Sequence, residues 1–381
     1  KGEIIFSKNA NKSFFKNTTT YNGLWNTDVA KTVNVINSDQ RSKTPSNNFQ
    51  NSLSAIIPWK EKLVNVMSFI SYRDDKQDLF INPAKYVPSL QTEAQNSDMI
   101  HQFLNLKTFE TIHSASVGFS KNSWTFTPEV GVNYITNKLI TDLNGETSGG
   151  VQNFGINYEN NLKFKSLKPY AQMMANFKKG GFEANLTFPV NFNNITATDS
   201  QSLDKSLNKV TYEPRLFARY DLTSFWKISA FSGISNSFGT INDIYSGKIL
   251  LSTNNLSTKD TDIQQSTSKF VGSALEYRNP LNNIFFNVRY NFNQTDKNIL
   301  FSYTQDPSNQ QNIVEGLNID NTAKTNSVRT ELGKYFPKFK TNASVSYNYS
   351  INNFQQLTNN VLNNVESQNQ GYSVKFNNNY F

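Results

Sequence analysis

Residues that commonly carry catalysis or bind metal ions are scarce in this chain of 381 residues. It has no cysteine and only two histidines, His101 and His113, which leaves little scope for thiolate zinc sites, cysteine nucleophiles or histidine triads. The motifs G-x-S-x-G, H-E-x-x-H, G-x-x-x-x-G-K-[ST] and G-x-G-x-x-G are absent. We therefore expect a protein that is not an enzyme and that holds no metal ion and no cofactor.

Charged side chains are the remaining groups with chemical potential, and many stand at alternate positions of apolar segments. The clearest segment runs from Trp124 to Tyr134, where apolar residues alternate with small or polar ones, among them Glu129. A period of two residues predicts a β-strand with one apolar and one polar face. The preceding segment, from Phe109 to Phe119, has the same pattern, and the four residues between the two segments predict a hairpin turn.

The same hairpin unit recurs along the chain, with short connections alternating with long polar ones. Successive antiparallel strands would place all short turns at one end and all long loops at the other. We predict about 16–18 strands of about 9–13 residues, the length that crosses a bilayer when a strand is tilted. The predicted long loops are 74–105, 137–150, 196–208, 239–268, 294–320 and 353–368. Pro128 and Pro214 fall within predicted strands, so each requires a bulge or a strand end nearby.

Two all-β architectures fit this periodicity: a transmembrane barrel and a soluble β-sandwich, whose apolar faces would be buried between two sheets. No apolar run is long enough for a membrane-spanning helix. The strands are longer than is usual in soluble sheets, and aromatics gather near strand ends, as with Phe119 and Trp124. The loop asymmetry is typical of outer-membrane barrels. We predict an antiparallel transmembrane β-barrel with short periplasmic turns and long extracellular loops.

If the apolar faces contact lipid, the opposite faces line the lumen with charges of both signs. Such a lining is either a hydrated wall whose charges pair with each other or with an internal plug, or a selectivity filter for a polar solute. The predicted lumen-lining residues are Glu129, Glu213, Arg215, Arg219, Glu276, Arg289, Arg329 and Glu331. Two loop aromatics, Tyr86 and Tyr245, are candidates for stacking on a solute.

The net charge of +8 comes from scattered basic residues, with no run of five or more Lys or Arg, so we predict no nucleic-acid partner. Basic residues near the long loops are instead expected to meet anionic lipopolysaccharide.

Several segments resemble the barrel domain of TonB-dependent outer-membrane receptors from Bacteroidota. The resemblance rests on Lys168-Pro169-Tyr170 at a strand start, NLTFPVNF (185–192), SFGTINDIYSGKIL (237–250) and LEYRNPLNNIFF (275–286). It implies a protein of the bacterial outer membrane that captures a small solute with its outer loops and imports it through the lumen. In that family a barrel of about 22 strands encloses a plug domain.

The resemblance also implies partners: TonB, reached through an N-terminal part that includes the plug, and in some members a surface lipoprotein. Because neither plug nor TonB-contacting segment is seen, we expect residues 1–381 to be a barrel domain, a fragment of a longer receptor. Two other functions stay open: a passive porin-like channel, and a secreted adhesin built of soluble β-sandwiches.

Overall fold

The structure is a computed structural model that describes residues 1–10, 13–33, 37–200, 202, 204–253, 255–306, 311–359 and 361–378. These residues form 22 strands and five short 3-10 turns. The strands are β1 (Gly2–Ala10), β2 (Ser13–Val33), β3 (Asn37–Trp59), β4 (Lys62–Asn82), β5 (Met99–Val117), β6 (Phe119–Lys121), β7 (Trp124–Thr147), β8 (Gly150–Asn153), β9 (Asn160–Lys179), β10 (Phe182–Thr198), β11 (Lys205–Tyr212), β12 (Arg215–Asp221), β13 (Trp226–Phe238), β14 (Ile249–Ser252), β15 (Asn255–Thr258), β16 (Gln265–Asn279), β17 (Ile284–Lys297), β18 (Leu300–Asp306), β19 (Gln311–Leu317), β20 (Asn321–Phe336), β21 (Thr341–Thr358) and β22 (Val361–Asn378). In the described part of the chain, no helix is long and apolar enough to cross a membrane.

The long strands form a single antiparallel meander. Each one pairs with the long strand before it and the long strand after it in the chain, from the β1–β2 ladder to the β21–β22 ladder. Among the described residues, β1 pairs only with β2 and β22 only with β21, so the sheet is not closed. The predicted all-β, antiparallel barrel wall is confirmed. Short strands such as β6, β8, β14 and β15 account for the excess over the predicted number.

The two ends of the sheet differ, as predicted. Short turns around residues 60–61, 122–123, 180–181 and 280–283 lie at one end, which we call the turn end. Longer connections, including 83–98, the described parts of 239–264 (239–253 and 255–264) and the described parts of 298–320 (298–306 and 311–320), lie at the other, the loop end.

Several predicted loops proved to be strand. The strands β4 and β5 cover half of 74–105, β7 extends to Thr147, and a tight hairpin between β21 and β22 replaces the predicted loop 353–368. Beyond the apolar band the outer face of these strands becomes polar, as at Asp74 and Asp78 of β4, whereas the apolar residues, such as Leu79 and Ile81, move to the inner face and are buried. The hydropathy pattern therefore ends before the backbone pairing does.

The two prolines that the sequence places within predicted strands, Pro128 and Pro214, lie where a ladder is interrupted, as expected. Pro214 lies between β11 and β12, which pair with β10 in one continuous register. Pro128 lies on β7 between its ladder with β5, which ends at Ser116–Glu129, and its ladder with β6, which begins at Phe119–Phe126. On one side of each proline the ladder is already interrupted, so the missing proline N–H removes no ladder hydrogen bond on that side.

The outer face of the sheet is an apolar band with an aromatic border at the turn end. Val130, in the band, is 61% exposed. At the border, the rings of Trp124 and Phe177 lie 4.8 Å apart, and Lys62 Nζ lies 5.2 Å from the ring centre of Phe119. Aromatic rings and basic side chains with this arrangement are typical of the edge of a membrane.

This face assignment predicts different costs for a charge on the two sides of β7. Val130 is six residues from Trp124, roughly 15 Å into the band along the normal for a strand tilted by about 40°. We expect Val130→Arg to lower the free energy of unfolding by about 2–4 kcal/mol, because the charge would lie near the bilayer midplane. Thr127→Arg, on the opposite face, should cost much less. Urea titrations of both variants in lipid vesicles measure the difference, and equal losses would contradict the assignment.

Candidate solute pathway on the inner face

The inner face of the sheet can be identified by what covers it at the loop end. Leu139 and Leu143 of β7 are buried beneath connecting segments, and so is Ile195 of β10. Residues two positions apart on a strand share a face, so Glu129, which stands an even number of residues from Leu139, is on this same face. The face opposite to the apolar band is therefore the concave, covered one.

Two connections fold inward over this face; we call residues 83–98, 239–253 and 255–264 together the loop cap. One hydrophobic cluster joins Val87 and Leu90 of the cap to Leu79, Ile100 and Leu143 of the wall. A second joins Ile241 and Ile249 to Leu139, Leu162 and Ile195. The first connection thus packs mainly on β4 and β5, which it joins, whereas the second packs on β7, β9 and β10, which are distant in sequence from the strands β13 and β16 that it joins.

Two buried wall amides fasten the cap to the sheet. The Nδ2 of Asn160 donates to the carbonyl of Gly247 at 3.0 Å, and the amide N–H of Gly247 donates to Asn160 Oδ1 at 2.8 Å. The N–H of Leu250 donates to Gln102 Oε1 at 2.9 Å. Asn160 and Gln102 are each only 2% exposed. A side-chain added at residue 247 would collide with the backbone of Glu159, so glycine permits this close approach.

The tyrosines of the loop end are mostly structural. Tyr158 donates to Glu93 Oε1 at 2.8 Å, which ties the connection before β9 to the cap. Burial is the larger cause, and this hydrogen bond to a carboxylate the smaller one, of a pKa of Tyr158 well above its ordinary value, so the phenol stays neutral. Tyr245 is 5% exposed and donates to Ser257 Oγ at 2.7 Å, and burial raises its pKa as well.

The two aromatics predicted to stack on a solute therefore occupy different environments. The ring of Tyr245 lies inside the cap. Tyr86 is half-buried, and Lys85 Nζ lies 5.2 Å from its ring centre. Only Tyr86 presents aromatic surface outside the hydrophobic clusters.

Four of the predicted lumen-lining residues lie on the inner face with polar partners on the wall. Glu129 accepts from the Tyr170 hydroxyl at 2.7 Å, and the ring of Tyr170 lies over Gly131, where a Cβ atom would come within 2.6 Å of it. Arg215 stands 3.8 Å from Glu213. Arg219 makes a 3.1 Å ion pair with Glu183. The two arginines thus have carboxylate partners on the wall, and Glu129 has a hydrogen-bond donor.

The remaining four lie together on β16, β17 and β20. Arg289 is directly opposite Arg329, and Asn287 is opposite both Glu276 and Glu331. A cavity of about 740 Å³ at the turn end is lined by Glu276 together with Lys227, Arg278 and Phe285. The predicted lumen-lining residues therefore fall into two groups. The first four have polar partners on the wall, and the other four form no ion pairs with one another among the described residues.

Arg289 and Arg329 are like charges directly opposite each other on two neighbouring strands, an arrangement that destabilises a sheet. Both are exposed on the inner face. Arg289 Nε donates to Asn291 Oδ1 at 3.2 Å, and its guanidinium lies 5.0 Å from the ring centre of Phe231. In the part of the chain that the structure describes, neither arginine has a carboxylate within 4.0 Å.

Sequence reasoning missed the residues that fasten the cap. Asn160 and Gln102 carry no motif, and their roles depend on contacts with residues 87 and 148 positions away. The described residues include no cluster of three or more His, Cys, Asp or Glu able to hold a metal ion.

Similarity to known proteins is found at the level of structure. No protein-family model and no curated protein matches the chain. The outer membrane transporter YddB from Escherichia coli aligns with 97% of this chain at a TM-score of 0.53 and 11% identity. The unliganded ferric citrate transporter FecA aligns with 97% at a TM-score of 0.55 and 9% identity, and the siderophore receptor PiuA from Acinetobacter baumannii with 95% at 0.53 and 9%.

The chain has the fold of an outer-membrane transporter barrel. It spans 54% of the YddB structure, 57% of FecA and 60% of PiuA, so it corresponds to little more than half the length of these proteins. The matched structures are transporters and receptors, not enzymes. At this level of identity the similarity establishes the fold alone.

The fastening of the cap gives a prediction with a matched control. Asn160→Ala removes both hydrogen bonds and leaves two buried backbone groups of Gly247 unpaired. Each buried unpaired group costs about 1–3 kcal/mol of stability. We expect hydrogen exchange of the Gly247 and Leu250 amides to become roughly 5- to 150-fold faster. Asn161→Ala, at the neighbouring exposed position, should leave exchange unchanged. Equal exchange in the two variants would show that Asn160 does not hold the cap.

Proposed function

We propose that this chain forms part of the barrel wall of a TonB-dependent transporter in a bacterial outer membrane. The observation that carries the proposal is the division of one sheet into an apolar outer face and a charged inner face covered by a fastened cap. A hydrocarbon environment suits the first face, and a hydrated pathway suits the second. The shared fold with outer-membrane transporters supports this placement. In this orientation the loop end is extracellular and the turn end is periplasmic.

The free edges of β1 and β22 support the proposal that these strands belong to a larger barrel. Unpaired backbone N–H and C=O groups cost several kcal/mol each in hydrocarbon, so membrane sheets close. We propose that further strands of the same receptor pair with both edges, and that a plug domain occupies the enclosed lumen. TonB would act on that plug, and a surface lipoprotein would sit at the loop end.

The inner-face charges support import of a small polar solute bearing negative charge. Arg289 and Arg329 present guanidinium groups side by side, and such groups bind carboxylate or phosphate in a bidentate manner. Asn291 and Phe231 orient Arg289 and leave its terminal nitrogens available. The paired arginines, Arg215 and Arg219, serve the wall instead.

Citrate, a tricarboxylate, is a suitable probe of this arginine pair. We expect Arg289→Gln and Arg329→Gln each to weaken citrate binding to the purified protein by about tenfold or more, since a charge-assisted hydrogen bond contributes about 1.5–3 kcal/mol. Arg215→Gln is the control, because its guanidinium already faces Glu213. Isothermal titration calorimetry provides the measurement. Similar losses in all three variants would point to general electrostatics and contradict a specific site.

Electrical conductance separates the transporter from the two other functions. A transporter whose mouth is covered by the cap shows no steady conductance in a planar lipid bilayer, whereas a passive porin conducts. Steady conductance would therefore favour the porin. A protein that stays monodisperse in plain buffer without detergent would favour the secreted adhesin.

A further inference from the structure

Three lysines lie side by side on the outer face, on three neighbouring strands. In the antiparallel ladders Lys107 of β5 is opposite Lys138 of β7, and Lys138 is opposite Lys163 of β9. Lys165 follows two residues later on the same face of β9. All four side chains are exposed. Directly opposed residues in such ladders have Cβ atoms only about 5 Å apart, so the ammonium groups are crowded.

The position of this lysine row relative to the apolar band is well defined. Phe109 follows Lys107 on β5 by two residues, toward the turn end, and Leu167 follows Lys165 on β9 by two residues in the same direction. Both are exposed on the outer face, at 36% and 41%. One step of two residues is about 7 Å along a strand. The lysines therefore border the loop-end margin of the band, where hydrocarbon would give way to lipid headgroups.

The positive charge of the row is not neutralised by the protein. None of the four lysines makes an ion pair among the described residues, whereas Lys205, Lys259 and Lys269 each have a carboxylate within 4.0 Å.

Asp74 on β4 is opposite Lys107 in the ladder, but the contact given for its carboxylate is a hydrogen bond accepted from Asn105 Nδ2 at 2.7 Å. Asp142 lies on the same face of β7, two steps beyond Lys138 toward the loop end, and interacts with Asn144. Like charges directly opposite each other destabilise a sheet, and an anion bound between these lysines would offset that repulsion.

We propose that Lys107, Lys138, Lys163 and Lys165 bind the phosphate groups of an outer-leaflet glycolipid whose acyl chains lie against Phe109 and Leu167. Ammonium groups attract phosphate strongly at a membrane surface. The apolar surface immediately beside the lysines distinguishes a lipid from a free anion. This inference rests on the proposed placement in an outer membrane, and it adds the residues and the ligand chemistry of one site.

Binding of fluorescent lipopolysaccharide to the purified protein in a neutral detergent tests the site. The variant Lys107→Gln/Lys138→Gln/Lys163→Gln should bind it at least tenfold more weakly, from about fivefold per lysine at a charged lipid surface. The control variant, Lys60→Gln/Lys62→Gln/Lys121→Gln, has the same change in net charge but alters lysines at the turn end. It should bind within about twofold of the unmodified protein, since distant charges are screened.

The outcomes separate the alternatives. Equal weakening in both triple variants would overturn the site, because net charge alone would then explain binding. Binding of inorganic phosphate alone as tightly as the lipid would also overturn it, because the acyl chains would then contribute nothing and the lysines would hold a free anion. Circular dichroism confirms that each variant keeps its β-structure. If the protein needs no detergent at all, the membrane placement fails first; if it needs detergent and the lysine row has no effect, only this inference fails.

Discussion

Hydrogen bonding of the backbone in a solvent that cannot replace it is the constraint on which this structure depends. Hydrocarbon offers no partner to an N–H or C=O group, so a chain that crosses it as strands must pair every strand with a neighbour. The continuous antiparallel meander satisfies that requirement from β2 to β21. The two prolines show the same constraint in detail, since each falls at an interruption of a ladder.

The same ladders distribute side chains to two environments. Strict alternation sends Val130 outward and Glu129 inward from adjacent positions of β7. The inner face then carries charged side chains. Two of the arginines form ion pairs with Glu183 and Glu213 of the wall, Glu129 accepts a hydrogen bond from Tyr170, and Arg289 and Arg329 have no ion pair among the described residues. At the loop end the same inner face becomes apolar and receives the cap. The alternation of side chains along each strand thus produces the apolar outer face, the charged inner face and the apolar inner surface on which the cap packs.

Much of this architecture could be predicted from the sequence, because alternation within a strand is a local property. The faces of β7 and the arginines of β12, β17 and β20 follow directly from it. The strand extensions could not be predicted. Residues 74–78 are all polar or charged, and after them Leu79 and Ile81 stand on the face opposite to Ile70 and Tyr72, so the alternation of apolar residues is broken although the strand continues. The inward folding of Tyr245 and the fastening of Gly247 by Asn160 depend on contacts across many strands, and no local pattern encodes them.

The absence of native cysteine makes the central claim, that hydrocarbon covers the outer face, directly measurable. Single cysteines at Val130 and Glu129, each carrying a fluorophore in a membrane-reconstituted protein, report the two faces of one strand. The account predicts that brominated acyl chains quench the label at residue 130 and that iodide in water quenches the label at residue 129. If neither label is quenched by brominated lipid and both are shielded from iodide, the apolar face is covered by protein, and the account is wrong.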